Sequence, residues 1–169
     1  MKRALLVVVC AALAGCGFHL RGAHEFALPA RLSVMRVTMP ASGLKYPGLV
    51  LTVRHALEDR GVRVVTQGHV PAVVLSGETM TPMIVTMSPE GGASAYLLDY
   101  AVTFSLLGAH GRVLIPPSVV RAQREYRFDP LNLPAMAREQ AYLERRLRHS
   151  AARQIVWRLA SYKRRARAH

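Results

Sequence analysis

Cysteine is nearly absent from this chain: two residues in 169, Cys10 and Cys16. That count excludes a small scaffold held by disulfides, so stability must come from an apolar core. Acid is scarce as well. Ten Asp and Glu stand against 23 Lys and Arg, a net charge of +13. Aromatic residues make up 7% of the chain and tryptophan occurs once. No apolar run approaches the roughly 20 residues that a membrane-spanning helix needs. Catalytic patterns are missing too: no Gly-x-Ser-x-Gly elbow, no glycine-rich phosphate loop and no His-Glu-x-x-His. The histidines at 19, 24, 55, 69, 110, 149 and 169 show no metal-ligand spacing. Neither catalytic residues, a metal nor a cofactor is expected.

What is present begins at the N-terminus. Lys2 and Arg3 precede an uncharged apolar run from Ala4 to Leu13, followed by Ala14-Gly15-Cys16. A basic end, a short apolar middle and small residues at a cut site have the order of a secretory signal. Leu13-Ala14-Gly15-Cys16 resembles the lipobox of bacterial lipoproteins. That resemblance implies S-diacylglycerol and N-acyl groups on Cys16 and cleavage before it. Two or more acyl chains hold a protein stably on a membrane, whereas one is marginal. Removing residues 1–15 also removes Cys10 and two of the positive charges. Residues 16–31 read as a lipidated tether, 32–162 as one domain and 163–169 as a basic tail expected to fray. One domain of this size buries a substantial core.

Along the domain, Ser33 to Met39 alternates as a strand and stops at Pro40. Pro47 suits the first turn of a helix. Leu49, Val50, Val53 and Leu57 recur at helical spacing, and Gly61 stands where a left-handed C-cap is expected. Val62 to Thr66 leads toward a second strand, and Ala72 to Met87 is extended, with Pro82 marking an edge or bulge. Ser88-Pro89-Glu90-Gly91-Gly92 is a turn. Tyr96, Leu98, Tyr100, Val102, Phe104 and Leu106 alternate with Asp99, Thr103 and Ser105, so one strand face is buried and the other polar. Gly108 to Gly111 turns the chain into a strand from Arg112 to Phe128, with a kink or bulge at Pro116-Pro117. A long amphipathic helix from about Pro134 to Ser161 carries Met136, Leu143, Leu147, Ala151, Ile155 and Leu159 on one stripe. The expected fold is α+β in two layers, a mixed sheet of about four strands with two helices packed on one face.

Cys16-Gly17-Phe18-His19-Leu20-Arg21 resembles the mature start of the LPS-assembly lipoprotein (LptE) family. The similarity continues through Val34–Met39, Leu57-Glu58-Asp59-Arg60-Gly61-Val62, Ala95-Tyr96, Val113-Leu114-Ile115-Pro116, Glu139-Gln140 and Ala151-Ala152-Arg153-Gln154. Membership implies a non-enzymatic lipoprotein held in the inner leaflet of the outer membrane. It also implies a plug inside an LptD-type β-barrel, help in assembling that barrel, and binding of lipopolysaccharide. Two basic positions associated with ligand binding in the family fall here on Pro89 and Met136. The basic candidates of this chain are therefore Arg121, Arg124, Arg127 and Arg138, chosen by local density; each can equally be a solvated arginine or a contact to a barrel wall. Planar guanidinium forks suit phosphates and acidic sugars. The alternative is a free-standing basic lipoprotein that binds anionic lipid or glycan at the periplasmic face. A hydrolase would need a deep polar pocket that no motif announces, and an exported protein seldom meets nucleic acid.

Overall fold

A computed structural model of the chain describes residues 28–40, 48–89 and 91–165. The segments read as signal and lipobox, Cys16, most of the tether, Pro47 and the last four residues of the basic tail lie outside the described residues. The first element described is a short 3-10 turn at Ala30–Leu32, where Leu32 is fully buried. Then follow β1 (Val34–Thr38), α1 (Gly48–Glu58), β2 (Arg63–Val64), β3 (Ala72–Met87), β4 (Ala93–Leu107), β5 (Val113–Arg127) and α2 (Leu133–Arg165). The sheet has five strands in the order β2-β1-β3-β4-β5. β1 is parallel to both β2 and β3, and β3, β4 and β5 form an antiparallel meander. The fold class is the expected α+β arrangement. The additional strand is the two-residue β2, which α1 delivers to the outer side of β1.

Local chemistry sets the ends of these elements. Gly61 has φ +76°, its N–H donates to the Glu58 carbonyl at 2.8 Å, and the Val62 N–H donates to the Leu57 carbonyl at 3.2 Å. That pair of bonds is a Schellman cap, and only a residue without Cβ adopts this φ at little cost. Asn132 caps α2, its side-chain oxygen accepting from the Ala135 N–H at 3.3 Å. α2 runs through Arg165, a turn beyond Ser161 and into the basic tail. The Ser88–Gly92 turn closes by the Ser88 N–H donating to the Gly92 carbonyl at 2.7 Å.

The β4 alternation is met. Leu98, Tyr100, Val102, Phe104 and Leu106 are all fully buried. They pack with Leu49, Val53 and Leu57 of α1 and with Leu147, Ala151, Ile155 and Leu159 of α2. Odd-numbered β4 residues face away from the helices, where Gln123 donates to Asp99 at 2.9 Å. One sheet face is thus covered and the other is open.

Both sheet edges are guarded. Between Phe104 and Leu106 the register with β5 slips from Ser118 to Ile115, placing a bulge at Pro116-Pro117 as expected. Beyond it, α2 shields the outer edge of β5. Arg158 donates to the Val119 carbonyl at 2.9 Å and Gln154 to the Arg121 carbonyl at 3.0 Å. These groups would otherwise invite another strand. On the other side β1 covers only Ala72–Val74 of β3. The outer half of β3 therefore forms an edge, and it contains Pro82.

Of the three register shifts between β3 and β4, the first redirects a side chain. Ser76 pairs with Thr103 and Thr79 with Ala101, so one extra residue is inserted between them. Gly77 takes φ +60° there. Strict alternation would put Glu78 on the open face with Ser76; the bulge turns it inward. A Cβ at position 77 would meet only the Thr103 Oγ1 at 3.6 Å, so space is not the obstacle. Gly77→Ala is expected to lower stability by about 1–2 kcal/mol through the left-handed backbone alone. Urea denaturation checks it, and an unchanged midpoint would show that the bulge has no conformational cost.

Candidate functional site

Three polar regions stand out, and each follows from strand parity or helix spacing. The first is the buried group that the bulge creates. Glu78 is 6% exposed, the sole buried charged residue among the described residues. Its Oε1 accepts from the Tyr100 hydroxyl at 2.9 Å and from Arg148 Nε at 3.3 Å. Arg148 also lies 3.6 Å from Glu144, one turn earlier on α2. The Glu78 Oε2 is buried and has no hydrogen-bond partner among the described residues. Burial raises the Glu78 pKa above its ordinary value, against the opposing pull of the Tyr100 hydroxyl and the Arg148 charge. Burial first, and then the neighbouring carboxylate, push the Tyr100 phenol far up, so it stays a donor at all relevant pH. This cluster ties β3 and β4 to α2. None of the three residues lines the crevice described below, and their contacts hold the sheet to the helix.

The second region is the open face of the sheet. Arg121 pairs with Ala101 and Arg127 with Ala95, odd-numbered β4 positions that face away from the helices. Both arginines are exposed.

The third lies on the covered side, between α2 and β5. Arg124 pairs with Leu98, a core residue, so its side chain departs toward α2. There it joins Arg146 and Arg153 around a crevice of about 140 Å³. Farther along the same face Tyr96 stacks on Tyr126 at 5.8 Å and meets Phe128 edge-on at 5.4 Å. Burial, then Tyr96 and Glu144, push the Tyr126 pKa up, which fits its place under α2.

The four candidates therefore do not form one site. Arg121 and Arg127 share the open face, Arg124 belongs to the crevice, and Arg138 is exposed near the start of α2. Arg138 and Arg146 are eight residues, about 12 Å, apart along the helix. Pro89 is exposed in the β3–β4 turn, and the Met136 sulfur accepts from the Asp129 N–H at 3.3 Å. Neither offers a cation. Arg146 and Arg153, which line the crevice with Arg124, were missed because nearest-neighbour density on β5 does not reveal what a distant helix contributes. Their seven-residue spacing, two helical turns on one face, was the available signal.

Among the described residues no three His, Cys, Asp or Glu side chains gather as metal ligands. No described helix is long and apolar enough to cross a membrane. These features define a class: a two-layer α+β domain with one sheet face open and arginines exposed on both sides of the sheet.

Comparison with known proteins makes the class particular. The model of the lipopolysaccharide-assembly family LptE matches residues 36–159, and the chain belongs to that family. It is 29% identical over 154 residues to the LPS-assembly lipoprotein LptE of Photorhabdus laumondii, covering 90% of this chain and 81% of that one. The LptE of Pectobacterium atrosepticum is also 29% identical over 154 residues, covering 86% and 77%. Among solved structures, lipoprotein B of Nitrosomonas europaea superposes with a TM-score of 0.70 at 23% identity, covering 87% of this chain and 92% of that one. Rare lipoprotein B of Shewanella oneidensis gives 0.67 at 24% identity, covering 79% and 98%. At these identities the structural likeness speaks for the fold.

Proposed function

We propose that the protein is an outer-membrane lipoprotein, anchored through Cys16 in the inner leaflet. It plugs the lumen of an LptD-type β-barrel, helps that barrel assemble and binds lipopolysaccharide on its way to the outer leaflet. The role is non-enzymatic. The observation that carries this reading is the family match over residues 36–159, which spans β1 to the end of the α2 core stripe.

The physical features agree with it. A large barrel leaves a wide polar channel. A domain with one open sheet face and arginines on both sides can present charged and hydrogen-bonding groups to such a channel. The overall excess of cations, +13 for the whole chain, suits a phosphorylated and acidic glycolipid. Arg121, Arg124, Arg127 and Arg138 are proposed contacts, to be divided between barrel and ligand by the face each occupies.

The test is purification from detergent-solubilised outer membranes of the native bacterium. A large barrel protein is expected to copurify with this chain in fixed proportion. Depleting the chain is expected to lower both the level of that barrel and the lipopolysaccharide at the cell surface. Purification of the lipoprotein alone, with barrel and surface lipopolysaccharide unchanged on depletion, would overturn the reading.

A further inference from the structure

Arg124, Arg146 and Arg153 converge on the crevice between β5 and α2, together with Leu147, Ser150 and Gln154. No carboxylate lines it. Arg146 donates to the Tyr142 hydroxyl at 2.7 Å and lies over its ring, 5.6 Å from the centroid. That contact fixes the guanidinium without neutralising it. Arg124 and Arg153 make no ion pair among the described residues. Three cations around one hollow repel each other, and an anion placed among them relieves that repulsion.

The hollow has the right form for such an anion. Arg146 and Arg153 stand about 10 Å apart along one face of α2, with Ser150 between them, and Arg124 enters from the strand. Donors thus come from two elements, and guanidinium forks match the oxygens of a tetrahedral oxyanion. A volume of about 140 Å³ holds such a group with a few waters, each taking about 30 Å³ in the liquid. Gln154 spends one amide hydrogen on the Arg121 carbonyl at 3.0 Å. The backbone wall of the crevice is thereby held in place.

We propose that this crevice is a subsite for a phosphate monoester. Arg153 also borders an adjoining hollow of about 400 Å³ with Trp157, which is 51% exposed. An apolar group attached to the phosphate has that indole face to lie against. The phosphate of a glycolipid therefore fits better than the free ion. The inference deepens the lipopolysaccharide reading and rests on it for the source of the phosphate, but not for the site itself. It relocates the charge contact, because the crevice lies several turns along α2 from Met136 and Arg138.

The experiment uses the full-length purified lipoprotein in detergent, with lipid A, dephosphorylated lipid A and inorganic phosphate as probes at about 150 mM salt. A variant combining Arg124→Gln, Arg146→Gln and Arg153→Gln is compared with the parent and with Arg112→Gln in the exposed β4–β5 turn; thermal denaturation confirms that each is folded. The triple variant is expected to bind lipid A about tenfold or more weakly. Arg112→Gln and the dephosphorylated lipid should show no such difference. Loss of lipid A binding alone assigns the crevice to a lipid-linked phosphate. Parallel loss of inorganic phosphate binding assigns it to the phosphate group itself. Equal lipid A binding by the triple variant and the parent overturns the proposal. A protein that binds through the crevice yet copurifies with no barrel would overturn the functional reading and leave this site standing.

Discussion

Replacing Arg148 with alanine is expected to cost about 3–5 kcal/mol of stability at neutral pH, because it leaves the Glu78 carboxylate buried and uncompensated. The loss should shrink as the pH falls toward 5. Burial already holds the Glu78 pKa above 4.5 in the intact protein. Its folded state therefore binds a proton more readily than its unfolded state. Such a group costs nothing below its unfolded pKa and costs progressively more as the pH rises through its folded pKa. Arg148 offsets that cost only while Glu78 is charged. Without Arg148 the folded pKa climbs further, so the variant protonates Glu78 at a higher pH and recovers part of its stability on acidification. The groups facing Glu78 are Tyr100 from β4 and Arg148 from α2, with Glu144 beyond Arg148. Tyr100 does not titrate in this range. Urea denaturation of the parent and the variant at pH 7 and pH 5 measures the difference. Glu78→Gln in the Arg148→Ala background should remove the pH dependence of the defect. An equal loss at both pH values would show that Arg148 acts by packing, not by charge.

Cys16→Ala is expected to abolish membrane retention while leaving the domain folded. On the proposed lipidation, three acyl chains reside in the leaflet, each buried methylene contributing about 0.8 kcal/mol. Cleavage by the lipoprotein route requires the modified cysteine, so the variant should also be processed abnormally. The buried apolar cluster of the domain begins at Leu32, 16 residues beyond the cysteine. The thermal midpoint of the soluble domain should therefore match the parent. Labelling with radioactive palmitate and phase partition in Triton X-114 check the outcome. Ordinary lipid labelling of Cys16→Ala would refute the assignment.

The parts of the fold that the sequence made legible are those written by short-range rules. Alternation along β4, the Gly61 cap and the Ser88–Gly92 turn each depend on a few neighbouring residues. Pro82 and Pro116-Pro117 spoke for themselves, since a residue without an N–H must sit at an edge or a bulge. What escaped depends on distant partners. β2 is two residues long and exists because β1 offers it a ladder, so no period announces it. Glu78 reads as an outward residue of an alternating strand until the bulge at Gly77 turns it inward, and a glycine inside a strand was the clue. The candidate site divided for the same reason. Arg121, Arg124 and Arg127 are neighbours in sequence, but period two sends the first and last to one face and the middle one to the other. Arg146 and Arg153 join Arg124 only once α2 is laid along β5.

The short parallel ladder at one side of the sheet has a mechanical meaning. β1 is held to β3 by three register pairs and to β2 by two, whereas β3, β4 and β5 share pairings along nearly their whole length. The N-terminal segment leads directly into β1. Tension applied through that segment falls on a sparsely paired strand and is resisted mainly by the apolar anchors Leu32 and Met35. The meander beneath α2, with the arginine crevice on it, lies on the far side of that weak seam. On the proposed anchoring, a tug on the leash can therefore loosen the first strand and leave the proposed binding crevice intact.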